Sequence, residues 1–276
     1  MSGFGEKIVH DGPASAGSFC ARRDFLKGML AAPAFLRVLL AGSFELRLGI
    51  IYDDASTDAL RGARMSVRES TRAAALLGAN LTAVELRLKA DTTAGKAAAW
   101  LASNHVAAVV TACTSPRLAQ LLEPLMRAHV VAVNAAAPPD TVPGLCKTDV
   151  LSVVPAGSRQ SQGTVVWDAT LERFGAAQLN ARYQAANHSA MTSRAWCGWF
   201  AVKLLWESAT RAGSADAPAL RAFLASTRAA FDGHKGAMLR FDETRVLRQP
   251  LYEVKVVNGK KQVSEIDVAP RRSACS

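Results

Sequence analysis

Cys113, Thr114 and Ser115 fall where an apolar run, Val106–Thr111, gives way to a helix opened by Pro116. A proline at the first turn leaves free N–H groups at the helix head, and neighbouring hydroxyls suit a carboxylate or another anion. A second polar group, Asp53, Asp54 and Asp58, follows the apolar run Leu46–Tyr52. Three acids at that spacing read as helix caps and solvated side chains before they read as a cation site. His10, His105, His129, His188 and His234 are dispersed, so metal ligation would need assembly from distant parts of the chain. His105 and His129 each stand just before an apolar run, where a cation or donor meets the last carbonyls of a helix. Cys113 with either of them would make a thiol–imidazole pair, the least favoured reading. Trp196, Trp199 and Trp206 recur at helical spacing and read as core rather than as a ligand box.

Other chemistry is absent as a pattern. The chain carries no phosphate loop, no glycine-rich dinucleotide fingerprint after its first strand, no H-E-x-x-H and no G-x-S-x-G. No catalytic residues, metal or cofactor are expected, and the chain does not read as an enzyme. The 276 residues carry a net charge of +10, but the basic residues are scattered and aromatics make up only 7%. That pattern describes a solvated basic surface and excludes the concentrated stripe of a nucleic-acid protein.

The N-terminal 43 residues read as an address. Arg22-Arg23-Asp24-Phe25-Leu26-Lys27 has the twin-arginine pattern, and a short apolar stretch follows to Gly42. Ala41, Gly42 and Ser43 are small enough for a cleavage site. The expectation is a periplasmic protein exported by the twin-arginine route. An oxidising compartment makes a disulfide plausible among the remaining cysteines. Cys113 with Cys146 is the first pairing to expect, since both stand near strand ends; free buried thiols fit equally.

Residues 44–156 alternate short apolar strands with helical segments. Strands are expected at Leu46–Tyr52, Leu81–Leu88, Val106–Thr111, Val130–Asn134 and Val150–Val154. Helices are expected at Ala59–Leu77, Thr92–Ser103 and Ser115–Ala128. Such alternation implies an α/β fold with a doubly wound parallel sheet, and ligands then bind beyond the carboxyl ends of the strands. Residues 163–268 differ. Helices are expected at Trp167–Asn187, Ser193–Ala212 and Asp216–Phe231, then a hairpin turning at Asn258-Gly259. Residues 269–276 read as a tail.

Several strings carry a resemblance. LRLGIIYDDAS (46–56), VVTACTSPRLAQLLEPLMRAHVVAVNAAAP (109–138), the run from ARYQAAN through AWCGWFAVKLLWESATRAGSADAPALRAFL (181–224), FDGHKGAMLRFDE (231–243) and PLYEVKVVNGK (250–260) resemble type I periplasmic substrate-binding proteins of ABC transporters, the leucine/isoleucine/valine-binding type. GTVVWDATLERFGAAQLNARY (163–183), LRQPLYEV (247–254) and the terminal Ser273-Ala274-Cys275 are similar to a subgroup linked to pyrroloquinoline-quinone-dependent alcohol dehydrogenase systems.

The resemblance implies a non-enzymatic solute-binding protein working with an ABC transporter permease. A small polar organic solute would lie against Tyr52, Asp54, Cys113, Thr114, Ser115, Asn134 and Ala135. Two departures stand out. The chain passes from Val154 to Gly163 where family members place most of a second lobe. On the fourth-strand loop, Ala135, Ala136, Ala137 and Pro138 offer backbone only, which counts against a free amino acid as ligand. The alternative implied is a periplasmic accessory protein, as a homodimer or beside a periplasmic dehydrogenase.

Overall fold

The computed structural model describes residues 43–156 and 163–266. The expected leader, apart from Ser43, and the expected tail lie outside the described residues.

Five strands form a parallel sheet in the order β2-β1-β3-β4-β5. They are β1 (Glu45–Tyr52), β2 (Asn80–Arg87), β3 (Ala108–Ala112), β4 (Val131–Asn134) and β5 (Leu151–Ser152). The order turns back at β1, so β1 and β3 flank the switch point where ligands lodge in such sheets. Register brings the strand ends level: Tyr52 lies opposite Arg87 and Ala112, Thr111 opposite Asn134, and Asn134 opposite Ser152.

Alternating side chains on these strands feed two cores. Leu46, Leu48, Ile50, Val110 and Val133 face α1 (Thr57–Leu76), α4 (Ala176–Asn187), α5 (Ser193–Ala212) and α6 (Ala217–Leu224). Ile51, Val109 and Ala132 face α2 (Ala94–Asn104) and α3 (Ser115–Arg127). Both sheet faces are therefore covered, and this is why β1, β3 and β4 carry near-continuous apolar runs, while the edge strand β2 alternates apolar with polar residues.

Helices α1 and α5 approach closely enough to need glycine at the crossing. A Cβ on Gly62 would lie 1.8 Å from the Ala195 carbonyl oxygen, and one on Gly198 would lie 1.9 Å from that of Ala59. The tryptophans pack as core. Trp167 stacks on Trp196 at 5.9 Å between ring centres, and Trp196 stacks on Phe200 at 4.9 Å.

The C-terminal half departs from expectation in two places. The segment expected to start a helix at Trp167 is a loop, and α4 begins only at Ala176. Asp168 Oδ1 accepts the Thr170 amide in a tight turn, and Phe174 (φ 57°) and Gly175 (φ 84°) break any helix before α4. Likewise α6 stops at Leu224, where Ser226 Oγ donates to the Phe223 carbonyl. A short antiparallel sheet follows instead, of β7 (Phe231–Asp232), β8 (Met238–Phe241) and β9 (Leu247–Arg248). The expected hairpin is present as β10 (Leu251–Val257) and β11 (Lys260–Ile266), with β6 (Thr164–Val165) paired to β10. Asn258 and Gly259 both take positive φ, as a two-residue hairpin turn requires.

The expected Cys113–Cys146 bridge does not form. Cys113 is a free, buried thiol at the end of β3, packed into the α2/α3 core, while Cys146 is disulfide-bonded elsewhere. Proximity to strand ends in sequence does not fix side-chain direction. The pleat turns Cys113 into the interior.

Candidate functional site at the strand ends

Beyond the carboxyl ends of β1, β3 and β4 three loops meet. Tyr52, half-buried, closes β1, with the Arg64 guanidinium 5.9 Å from its ring centre. Arg64 is held in turn by a two-pronged pair with Glu85 at 2.8 and 2.6 Å. Asp54 is exposed and receives both prongs of Arg87 at 2.8 and 2.7 Å. Those hydrogen bonds hold its carboxyl below the usual carboxylate range.

Asp53 does different work. Only 7% exposed, it turns inward, and its Oδ2 accepts the amide N–H of Thr114 at 2.7 Å. Thr114 is the residue that caps α3, so the anion at the head of that helix is supplied by the protein. The Asp53 Oδ1 and Thr111 Oγ1 atoms are buried without a hydrogen-bond partner among the described residues.

On the β3 loop, Ser115 Oγ lies 2.6 Å from Thr141 Oγ1, and Thr141 donates its own proton to the Pro138 carbonyl. Ser115 is therefore the donor to Thr141 and keeps its lone pairs for an incoming hydrogen. The Cys113 thiol is buried, and burial drives its pKa up first, with the Asp53 charge adding to it.

The β4 loop is internally committed. Asn134 is fully buried: its Nδ2 donates to the Ala137 carbonyl and to Ser152 Oγ, and its Oδ1 accepts the amides of Ala136 and Ala137. The Ala135 amide is bonded to the Thr111 carbonyl. None of these three amides is left for a solute. The loop presents carbonyls and methyl groups.

A small cavity of about 70 Å³ lies beside this loop, lined by Ala135, Ala136, Pro138, Ser193, Arg194 and Cys197 among others. Ser193 is fixed by the chain that precedes α4, accepting the amides of Val166 and Trp167 and donating to the Trp167 carbonyl. Arg194 is exposed and reaches the turn that follows β1, donating to the Ala55 carbonyl at 3.2 Å. It carries no carboxylate partner among the described residues.

Of the residues singled out from sequence, Tyr52, Asp54, Thr114 and Ser115 stand at this surface, while Ala135 is fully buried. The side chains of Cys113 and Asn134 turn into the protein. Sequence reasoning did not find Asp53 as the cap of a distant helix, nor Ser193 and Arg194. The Thr192-Ser193-Arg194 start of a strongly apolar helix was the available signal. Among the described residues no group of three or more His, Cys, Asp or Glu side chains is placed to hold a metal ion.

Solved structures share this architecture. A branched-chain amino acid transporter substrate-binding protein from Streptococcus pneumoniae, in complex with isoleucine, superposes with a TM-score of 0.65 at 15% identity, over 80% of this chain and 100% of that one. The fold is that of the type I periplasmic binding proteins. A solute-binding protein of an ABC transporter from Rhodopseudomonas palustris, in complex with 3,4-dihydroxybenzoic acid, matches at a TM-score of 0.61 and 12% identity, over 80% and 96% of the two chains. A substrate-binding protein from Desulfitobacterium hafniense in complex with leucine gives 0.61 at 14%, over 80% and 100%. No family model and no curated protein matches the sequence. Among the described residues no helix is long and apolar enough to cross a membrane.

Proposed function

We propose that this chain is the solute-binding component of an ABC-type transporter, exported by the twin-arginine route and working in the periplasm with a permease. It takes a small polar organic solute at the carboxyl ends of β1, β3 and β4. The observation that carries this reading is the strand-end surface itself, where the Ser115 hydroxyl keeps open lone pairs and the exposed Arg194 spends one N–H on the Ala55 carbonyl and carries no carboxylate partner among the described residues. A solute with an acidic group and a hydroxyl or amine satisfies both. The neighbours in complex with isoleucine and 3,4-dihydroxybenzoic acid support it by shared fold.

The cavity is far smaller than the 300–1,000 Å³ usual for an enclosed ligand. A second wall is therefore needed, and we assign it to another copy of the chain or to a periplasmic partner. A dehydrogenase of quinone-dependent alcohol oxidation is the partner implied by the sequence resemblance.

The test is thermal unfolding of the full chain against amino acids, hydroxy acids, aromatic acids, alcohols and amides. A solute that binds only the folded state adds about 2.7 kcal/mol at 100 times its dissociation constant. Stabilisation by one chemical class, lost in the Ser115→Ala and Arg194→Gln variants, supports the proposal. A cooperative transition that no solute moves rejects it.

A further inference from the structure

A second and larger cavity, about 780 Å³, opens on the flank of the sheet at the amino end of β4. Val131, Leu224 and Phe241 give it apolar walls, and Arg221, Arg240 and Arg245 stand among them. Val131 is the first residue of β4 and Ala135 lies past its last, so this cavity and the strand-end site are roughly 13 Å apart at about 3.3 Å per residue. The volume is that of a site for a small organic molecule.

The charges around it are unequally engaged. Arg245 has a carboxylate partner, Asp149, at 3.6 Å. Asp242 Oδ1 is taken up by its own turn, accepting the Thr244 amide, the Thr244 hydroxyl and the Val246 amide. Glu243 is exposed. Arg221 and Arg240 have no carboxylate partner among the described residues. Each spends one N–H on a backbone carbonyl: Arg221 on Val130 at 2.9 Å, Arg240 on Thr227. A guanidinium has five N–H donors in a planar fork that fits a carboxylate in two-pronged fashion. These bonds fix the forks against α6 and β4 and leave most of their donors unspent. The positioning cost of an anion contact is thus already met in the folded protein.

We propose that this cavity binds a small organic anion with an apolar body, its carboxylate on Arg221 and Arg240 and its ring or branched chain against Leu224 and Phe241. The inference does not rest on the transport reading, because no residue is shared between the two sites.

Phenylacetate and its neutral isostere phenylacetamide test it by calorimetric titration into the full chain. The acid should saturate one site and bind at least tenfold tighter than the amide. Arg240→Gln, at an exposed position, should weaken the acid about tenfold and leave the amide unchanged. Ala225→Trp fills the cavity without touching a charge and should abolish both. Arg194→Gln should change neither. Equal affinity for acid and amide, binding that survives Ala225→Trp, binding that is lost in Arg194→Gln, or no binding of the acid at millimolar concentration would each overturn the proposal.

Discussion

The carboxylate of Asp53 accepts the Thr114 amide at 2.7 Å across 61 residues of chain, joining the end of β1 to the head of α3. Sequence reasoning assigned the free N–H groups of this helix head to a solute anion. The protein fills the position with a carboxylate of its own, so a second anion there meets a buried negative charge. Asp53→Ala should therefore destabilise the fold by about 1–2 kcal/mol, the usual cost of losing a cap. Asp53→Asn keeps an acceptor and should cost less than half of that. Urea unfolding of the two variants decides it. Equal losses would mean that the charge, and not the hydrogen bond, is what α3 uses.

The α1/α5 crossing gives a sharper expectation. Gly62→Ala or Gly198→Ala puts a methyl carbon inside 2 Å of a backbone oxygen that neither helix can move alone. Overpacking of this kind costs about 3 kcal/mol or more. Gly78→Ala is the comparison: its φ of +68° is strained for alanine, but nothing lies within 4 Å, so the cost should be about 1 kcal/mol. If all three variants lose the same stability, the helices have room to part.

Much of the α/β half was legible because β3 and β4, and β1 from Leu48 on, are buried on both faces and each helix buries one stripe. Apolar runs such as Val106–Thr111 and the spacing of Leu118, Leu121, Leu122 and Leu125 carry those facts in one dimension. The Asn258-Gly259 turn was legible because it needs two positive φ angles. Residues 167–175 were not. Their apolar points resemble a helix, but Trp167 is held by Asn180 Oδ1 at 2.8 Å, a tertiary bond that no local pattern announces. The candidate site was half legible. Loop positions follow from strand ends, whereas the inward turn of Cys113 and Asn134 and the arrival of Arg194 from α5 depend on packing.

Both free thiols among the described residues should be inert in the folded protein. Cys197 is buried near the strand-end cavity, and burial pushes its thiol up to about 12; Cys113 is driven up by the same cause. The thiolate is the reactive species, so neither should react at neutral pH. A thiol-directed alkylating agent followed by peptide mapping should leave Cys113 and Cys197 unmodified until denaturant is added. Rapid native labelling of Cys113 would revive a nucleophilic role for it.

Lys235 makes stability depend on pH in a direction that can be derived. It is 2% exposed, and its Nζ donates to the Val166 carbonyl at 2.7 Å, Gln249 Oε1 at 2.7 Å and the Pro250 carbonyl at 3.0 Å. The ammonium sits 4.1 Å from the Trp196 ring centre and 5.5 Å from that of Tyr252. Burial lowers its pKa to about 7 from 10.5, opposed by the thiol of Cys197 and the carboxylate of Glu265. Between those values the unfolded chain holds a proton that the folded chain has released, so raising the pH favours folding across that window. The slope is at most about 1.4 kcal/mol per pH unit. Lys235→Met lacks it. Urea unfolding of both proteins at pH 7 and pH 9 should therefore move the stability difference about 2 kcal/mol in favour of the native chain. Tyr252, raised to about 12, stays protonated when folded across this range. Cys197 is common to both proteins and cancels. A difference that does not change with pH would show that the three acceptors and the Trp196 face hold Lys235 as an ammonium throughout, outweighing the cost of its burial.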